Sequence, residues 1–308
     1  MKPMLAAPVA TLPDGAGWAF EFKWDGVRAL LDVSDHSVRL HSRNGNEITA
    51  AYPELIALAA DAGDALIDGE IVALADGLPS FERLQTRMHV RDARQAHDLA
   101  LSTPVTFVAF DLLRRFGVDL TGRPYVDRRA TLDRLVADRP AWTISPFFDD
   151  GAATLAAARQ HGLEGVVAKR LAAPYRAGSR GTDWVKLRFV RAGDFVVVGW
   201  EGAADRPADL SSLVLGYYRD GALDYAGKVG SGLDGRTSLR LRNALAARAD
   251  CSLPTALPPS PGRVATWCEP AVVVEVEFTA WTDDGRLRHP VFRGIRLDKS
   301  AAEAIGDG

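Results

Sequence analysis

The chain has 308 residues, with 37 Lys+Arg against 40 Asp+Glu and a formal charge of −3. At 47% hydrophobic and 25% charged, its composition is that of a folded globular protein, and the length suits roughly two domains. Two cysteines, Cys251 and Cys268, exclude a disulfide framework and a four-cysteine zinc site. No apolar run reaches the ~18 residues of a membrane span, and residues 1–13 lack a signal peptide's apolar core, so no membrane association and a cytoplasmic location are expected. The small negative balance argues mildly against nucleic acid, but net charge is a weak guide when charge is segregated. Only six of the basic residues are lysines: Lys2, Lys23, Lys169, Lys186, Lys228 and Lys299. In so Arg-biased a chain, the few lysines are worth locating.

The first informative element is residues 18–28. Trp18, Phe20, Phe22 and Trp24 alternate with Glu21, Lys23 and Asp25, which predicts a strand with one apolar face and an amine between two carboxylates on the other. By pattern alone this is a half-buried strand with a solvated edge. A lysine made nucleophilic by its surroundings is the functional reading, with Arg28 helping to favour the neutral amine.

Further along, Ser42-Arg43-Asn44-Gly45 reads as a turn, residues 65–70 as a strand ending in Asp68-Gly69-Glu70, and residues 107–113 as a buried strand containing Phe110. Between the last two, Arg83, Arg87, Arg91 and Arg94 recur at helical spacing. They predict one basic stripe on a helix from about Ser80, suited to solvent or to DNA phosphates. Residues 164–170 and 183–188 are charged strands, and 169–191 hold seven basic residues and one acid, which predicts a basic surface. Near residue 190 the texture changes to short β-rich segments, with one helix over 234–249 and a proline-rich loop over 252–262. That is the element set of an OB-type barrel. No latch insertion is obvious, though residues 203–212 are a candidate loop for one. Gly230-Ser231-Gly232-Leu233-Asp234-Gly235 matches GxGxxG, but it stands among barrel-like strands and not in a strand–helix–strand unit, so dinucleotide binding is not expected.

Lys23-Trp24-Asp25-Gly26-Val27-Arg28 resembles the KxDGxR nucleotidyl-lysine motif of covalent nucleotidyltransferases. The segments around Arg43, Glu70, Phe110, Glu164, Lys186 and residues 292–299 resemble that superfamily's remaining motifs, in its order. The chain is most similar to bacterial ATP-dependent DNA ligases of the ligase C type and to the ligase module of ligase D. The resemblance implies an α+β fold: an adenylation (nucleotidyltransferase) domain over 1–190, ATP-grasp-like with antiparallel sheets and helices, then an all-β OB-fold domain over 191–308. It implies Lys23 as the catalytic nucleophile. It implies ATP contacts from Glu21, Arg28, Arg43, Glu70, Phe110, Arg180, Lys186, Arg188, Arg296 and Lys299. Phe110 would stack on adenine, and Arg296 and Lys299 would orient the pyrophosphate. Arg188 stands where the family has a second lysine. Glu70 and Glu164 would hold Mg²⁺ or Mn²⁺. Arg43, Arg83, Arg87, Arg91 and Arg94 would meet DNA.

The implied reaction seals 5′-phosphate/3′-hydroxyl nicks in duplex DNA through lysyl-AMP, in DNA repair, by a monomer associated with the nucleoid. A repair polymerase-primase or a DNA-end-binding protein is an expected partner. The alternatives are an RNA ligase, a capping-type nucleotidyltransferase, or a non-catalytic OB-fold nucleic-acid binder. Because the last motif lies in the second domain, a hinge is expected over 188–193.

Overall fold

Strand-forming runs dominate the first 189 residues, and the chain's contacts divide it into two units, Met1–Phe189 and Val190–Gly308. The structure, a computed structural model, describes all residues except 36, 59–61, 76, 136–140, 207–208, 255–261, 283 and 306–308. Most of the proline-rich segment and part of the candidate latch loop therefore lie outside the described residues.

The first unit contains β1 (Leu5–Pro8), β2 (Trp18–Phe22), β3 (Val27–Ser34), β4 (Ser37–Ser42), β5 (Ala65–Ala75) and β6 (Leu78–Pro79). It continues with β7 (Val105–Arg115), β8 (Val118–Asp119), β9 (Trp142–Ile144), β10 (Phe147–Phe148), β11 (Gly165–Arg170) and β12 (Arg180–Arg188). Its helices are α1 (Phe81–Gln85), α2 (Ala93–Ser102), α3 (Tyr125–Leu132) and α4 (Gly151–Gln160). One sheet runs β1-β12-β11-β2-β10; the other runs β4-β3-β5-β7-β8, with β6 on β5 and β9 on β7. Pairing is antiparallel except for β1 with β12 and β7 with β9.

Alternation sorts the side chains into layers. Trp18 and Phe20 join Val166, Ala168 and Val185 in a cluster closed by Ala158 of α4. Asp150 caps α4 by accepting from the Ala153 N–H at 2.9 Å. On the other sheet, Leu31, Ile67, Phe107 and Leu112 pack with Tyr52 and Leu55. A third cluster joins the two sheets: Leu30, Phe110 and Leu113 from one side meet Met4, Tyr175 and Trp184 from the other. The faces that carry it are those that carry the polar motif residues.

The second unit contains β13 (Arg191–Ala203), β14 (Ser212–Arg219), β15 (Ala222–Val229), β16 (Ala247–Arg248), β17 (Arg263–Cys268), β18 (Val273–Phe278), β19 (Ala280–Trp281), β20 (Leu287–Arg288) and β21 (Val291–Ile295), with α5 (Gly235–Ala244). All its strand pairs are antiparallel. The GxGxxG segment therefore has no parallel strand–helix–strand unit around it, as expected. The long strand β13 pairs with β14, β17 and β18. Its Phe195 and Val197 enter the main core with Leu241 and Leu245, while Val196 and Val198 enter a smaller cluster on the opposite face. This is the OB fold. Arg191–Gly193 of the expected hinge pair with β18, which leaves only Phe189 and Val190 outside strands.

Two helix expectations need correction. The stretch over 234–249 is helical only to Ala244, and Ala247–Arg248 pair with β17 instead. The basic stripe from Ser80 to Arg94 does not exist. The α1 helix stops at Gln85, His89 takes a positive φ of 66°, and α2 begins at Ala93. Arg87 is fully buried. Its Nη1 donates to Glu54 (2.7 Å) and to the Thr103 carbonyl (2.6 Å), and its Nη2 to the Ala51 carbonyl (2.8 Å) and Glu54 (2.9 Å). Arg87 is thus a structural tie and does not contact DNA. The four-residue spacing was right, but the helix it implied is broken. Arg87→Ala leaves Glu54 and two carbonyls without their donor, and is expected to lower the unfolding free energy by about 3 kcal/mol. Urea unfolding without DNA checks this, with exposed Arg83→Ala changing it by under about 1 kcal/mol.

Candidate active site

The strand registers bring the motif residues to one pair of facing surfaces. On one sheet Glu21 pairs with Val167, Val167 with Lys186, and Lys169 with Trp184, so these share a face. On the other, Arg28 pairs with Glu70 and Leu30 with Asp68. Lys23 follows β2 directly, and its N–H donates to the Gly165 carbonyl at 2.9 Å. Gly26 makes the turn to β3 possible, since a Cβ there would lie 2.1 Å from the Ile71 carbonyl oxygen.

The Lys23 amine pairs with Glu164, whose other oxygen lies 2.9 Å from Arg188 Nε. Lys186 sits in the same field. Burial, then Arg188, Lys23 and Arg180, lower its amine to about 8 against the pull of Glu164. Lys23 and Arg188 thus hold one carboxylate with Lys186 in its field, an excess of cations suited to a polyphosphate. Glu70 is raised to about 7 by burial, opposed by Arg28 and Lys23. It makes no hydrogen bond or ion pair with any described residue, so its oxygens are available to a hard cation or a ribose hydroxyl. Among the described residues no group of three or more His, Cys, Asp or Glu forms a ready metal cage. Glu70 is open to a divalent ion that keeps water and phosphate ligands, whereas both Glu164 oxygens are held by Lys23 and Arg188.

Beneath these groups lies a buried polar layer. Glu21 accepts from Tyr125 Oη at 2.5 Å and pairs with Lys169 Nζ at 2.7 Å. Lys169 also donates to the Phe110 carbonyl at 3.1 Å and is only 2% exposed, which corrects its expected place on a basic surface. Burial lowers its amine. Arg28 makes a two-pronged contact with Asp68 (2.6 Å each) and donates to the Met4 carbonyl at 3.1 Å. Tyr175 Oη also donates to Asp68, at 2.5 Å. Phe110 is buried, with Lys169 Nζ 4.4 Å and the Arg28 guanidinium carbon 4.7 Å from its ring centroid.

The remaining candidates lie apart. Arg43 is exposed on the turn after β4, and Arg83 donates to the Leu74 carbonyl at 3.0 Å. Arg91 and Arg94 are exposed. Arg180 begins β12 and is exposed, within electrostatic reach of Lys186. Arg296 and Lys299 belong to the second unit, where Asp194 meets Arg296 Nη1 at 3.0 Å and also pairs with Lys299. Arg296 is further held by Asp298 at 2.9 and 2.8 Å. Sequence reasoning missed Tyr125, Tyr175 and Asp194 as partners of motif residues. None stands in a local pattern with the residue it serves.

A family model for the ATP dependent DNA ligase domain matches residues 3–188, and one for the ATP dependent DNA ligase C terminal region matches residues 206–299. The multifunctional non-homologous end joining DNA repair protein LigD of Mycobacterium tuberculosis is 40% identical over 314 residues, covering 99% of this chain but 40% of LigD. DNA ligase C2 of Mycolicibacterium smegmatis is 38% identical over 242 residues, covering 75% of this chain and 66% of that protein. Among solved structures, the ligase domain of M. tuberculosis LigD covers 98% of both chains at 37% identity, with a TM-score of 0.52. A Lig E DNA ligase covers 96% of this chain and 99% of its own at 20% identity and a TM-score of 0.66, a likeness of fold.

The lowered Lys186 amine has a consequence for pH. It carries charge below about 8 and loses it above, so ATP affinity should fall as pH rises through that value. Glu70 gains negative charge near 7, in the same unfavourable direction. Lys186→Arg is expected to abolish the upper step and keep the lower one, measured as ATP dissociation constants across pH.

Proposed function

The chain belongs to the ATP-dependent DNA ligase family, and from that premise we propose that it seals 5′-phosphate/3′-hydroxyl nicks in duplex DNA through lysyl-AMP on Lys23, in DNA repair. The observation that carries this reading is the Lys23 amine paired with Glu164 within an excess of cations. Lys23 Nζ gives up its proton and attacks the α-phosphorus of ATP. An N–P bond forms, the bond to the bridging oxygen breaks, and its electron pair leaves with pyrophosphate. Lys186, Arg180 and Arg188 hold the phosphates in line. The AMP then passes to the 5′-phosphate of the nick, which frees the amine. The 3′-hydroxyl attacks that phosphate and expels AMP.

Glu70 and Glu164 are the proposed donors to Mg²⁺ or Mn²⁺, which would neutralise charge developing on the phosphates. Phe110 is the proposed adenine platform, with Lys169 or Arg28 yielding a ring face to the base. Glu21 acts from beneath, through Lys169. Arg43, with Arg83, Arg91 and Arg94, is proposed to meet DNA phosphates. The adenylation domain is assigned to 1–190 and the OB domain to 191–308. Movement on the Phe189–Val190 connection would bring Arg296 and Lys299 to the nucleotide in the first step. A monomer working with a repair polymerase-primase or an end-binding protein near the nucleoid completes the proposal. Among described residues, no helix is long and apolar enough to cross a membrane.

The test is incubation with α-phosphate-labelled ATP and Mg²⁺. Wild type is expected to take a covalent label that Lys23→Ala does not, and then to seal nicked DNA in preference to nicked RNA. An unlabelled wild type would defeat the proposal. Sealing confined to RNA would move it to the RNA ligases.

A further inference from the structure

Lys23 belongs to no strand. β2 ends at Phe22 and β3 begins at Val27, so residues 23–26 are the link by which the chain leaves one sheet of the first unit for the other. A nucleophile on such a link stands only as firmly as the link is anchored. One anchor lies on the β11 side, where the Lys23 N–H donates to the Gly165 carbonyl at 2.9 Å. A second comes from the next residue: Trp24 donates its indole Nε1–H to Ser145 Oγ at 2.9 Å. An indole nitrogen only donates, so the serine oxygen is the acceptor. Phe22 meets the same indole edge-on, with ring centroids 6.5 Å apart.

Ser145 is itself firmly held. It follows β9 directly and is fully buried. Its N–H donates to the Ala109 carbonyl at 2.8 Å, and its carbonyl accepts from Arg129 Nη2 at 2.5 Å. Ala109 stands immediately before Phe110 on β7, so the serine is fixed to the strand that carries the proposed adenine platform. Other indoles in the chain are treated differently. Trp142, Trp184 and Trp200 bury their Nε1 atoms without a hydrogen-bond partner. Trp24 is only half-buried, yet it is given a buried hydroxyl from 121 positions away. Burying a hydroxyl costs free energy unless it is hydrogen-bonded, so packing alone does not call for serine at this position.

We propose that Ser145 is a positioning residue for the nucleophile: through Trp24 it fixes the Lys23 backbone against the β7 strand, so that the amine meets the α-phosphorus of a nucleotide whose base rests on Phe110. The inference rests on the ligase reading above and gives a part in it to a residue outside every motif segment. Ser145 touches no reacting atom. Its part is orientation, and misplacing a reacting group by about 1 Å costs on the order of a hundredfold in rate. A single neutral hydrogen bond is expected to secure a fraction of that.

The test follows single-turnover uptake of label from α-phosphate-labelled ATP with Mg²⁺ by the full chain. At saturating ATP, Ser145→Ala is expected to form the covalent label about tenfold more slowly, with the half-saturating ATP concentration changed by less than about twofold. Trp24→Phe keeps an aromatic ring and removes the N–H, and should show the same loss. The double variant should be no slower than either single one, because both changes remove the same bond. Joining of a nick that already carries a 5′-adenylate needs no attack by Lys23 and should change by less than about twofold in all three. A folded Trp24→Phe that takes label at the wild-type rate would overturn the inference, and that result is readable even if Ser145→Ala unfolds. So would losses that multiply in the double variant, or a loss seen only as a higher demand for ATP. An equal loss in joining pre-adenylylated nicks would also overturn it, by assigning the bond to DNA or to the fold. A wild type that takes no label fails the ligase reading itself, before any variant is compared.

Discussion

The proposed chemistry depends on how the Lys23 amine is held in place. Lys23 is paired with Glu164. Glu164 is shared with Arg188, and Lys186 stands close by with a lowered proton affinity. The resting ion pair is a restraint on where the amine stands.

A second set of charges stiffens the structure around that pair. Asp68 with Arg28 and Tyr175, Asp111 with Arg128, and Glu21 with Lys169 and Tyr125 all lie behind the reactive groups. Arg128 and Asp111 are fully buried, and Arg128 spends its remaining donors on the Arg123 and Ala173 carbonyls. Isolated ions so placed would each cost several kcal/mol, so the pairs are kept only with near-complete hydrogen bonding. Lys169 ties one sheet to the other by donating to the Phe110 carbonyl, and Tyr175 donates to Asp68, within the apolar cluster of Met4, Leu30, Phe110 and Trp184. Direction comes from the ionic layer and adhesion from the apolar one.

Much of this was legible in the sequence where one strand carries the information. The alternation of residues 18–23 correctly separated a buried apolar face from the face bearing Glu21 and Lys23, because a strand's period is local. Segregation of charge was harder. Lys169 and Arg87 looked like surface cations, yet both are interior, held by partners 148 and 33 positions away, Glu21 and Glu54. A helical spacing of arginines predicts a helix only if nothing breaks it, and the backbone at His89 does. Tyr125, Tyr175 and Asp194 were silent for the same reason, since each acts across elements that only the fold brings together.

The net charge of −3 also takes on a different meaning. Several of its acids hold cations: Asp68, Asp111 and Glu21 one each, Asp194 and Glu164 two each. Among the described cations without an ion pair are Lys186 and Arg180, which lie within electrostatic reach of one another, Lys186 also of Lys23. In a chain with nearly balanced charge, the position of the unpaired cations carries more information than the total. A polyphosphate meets its strongest attraction where an arginine or lysine lacks an acid.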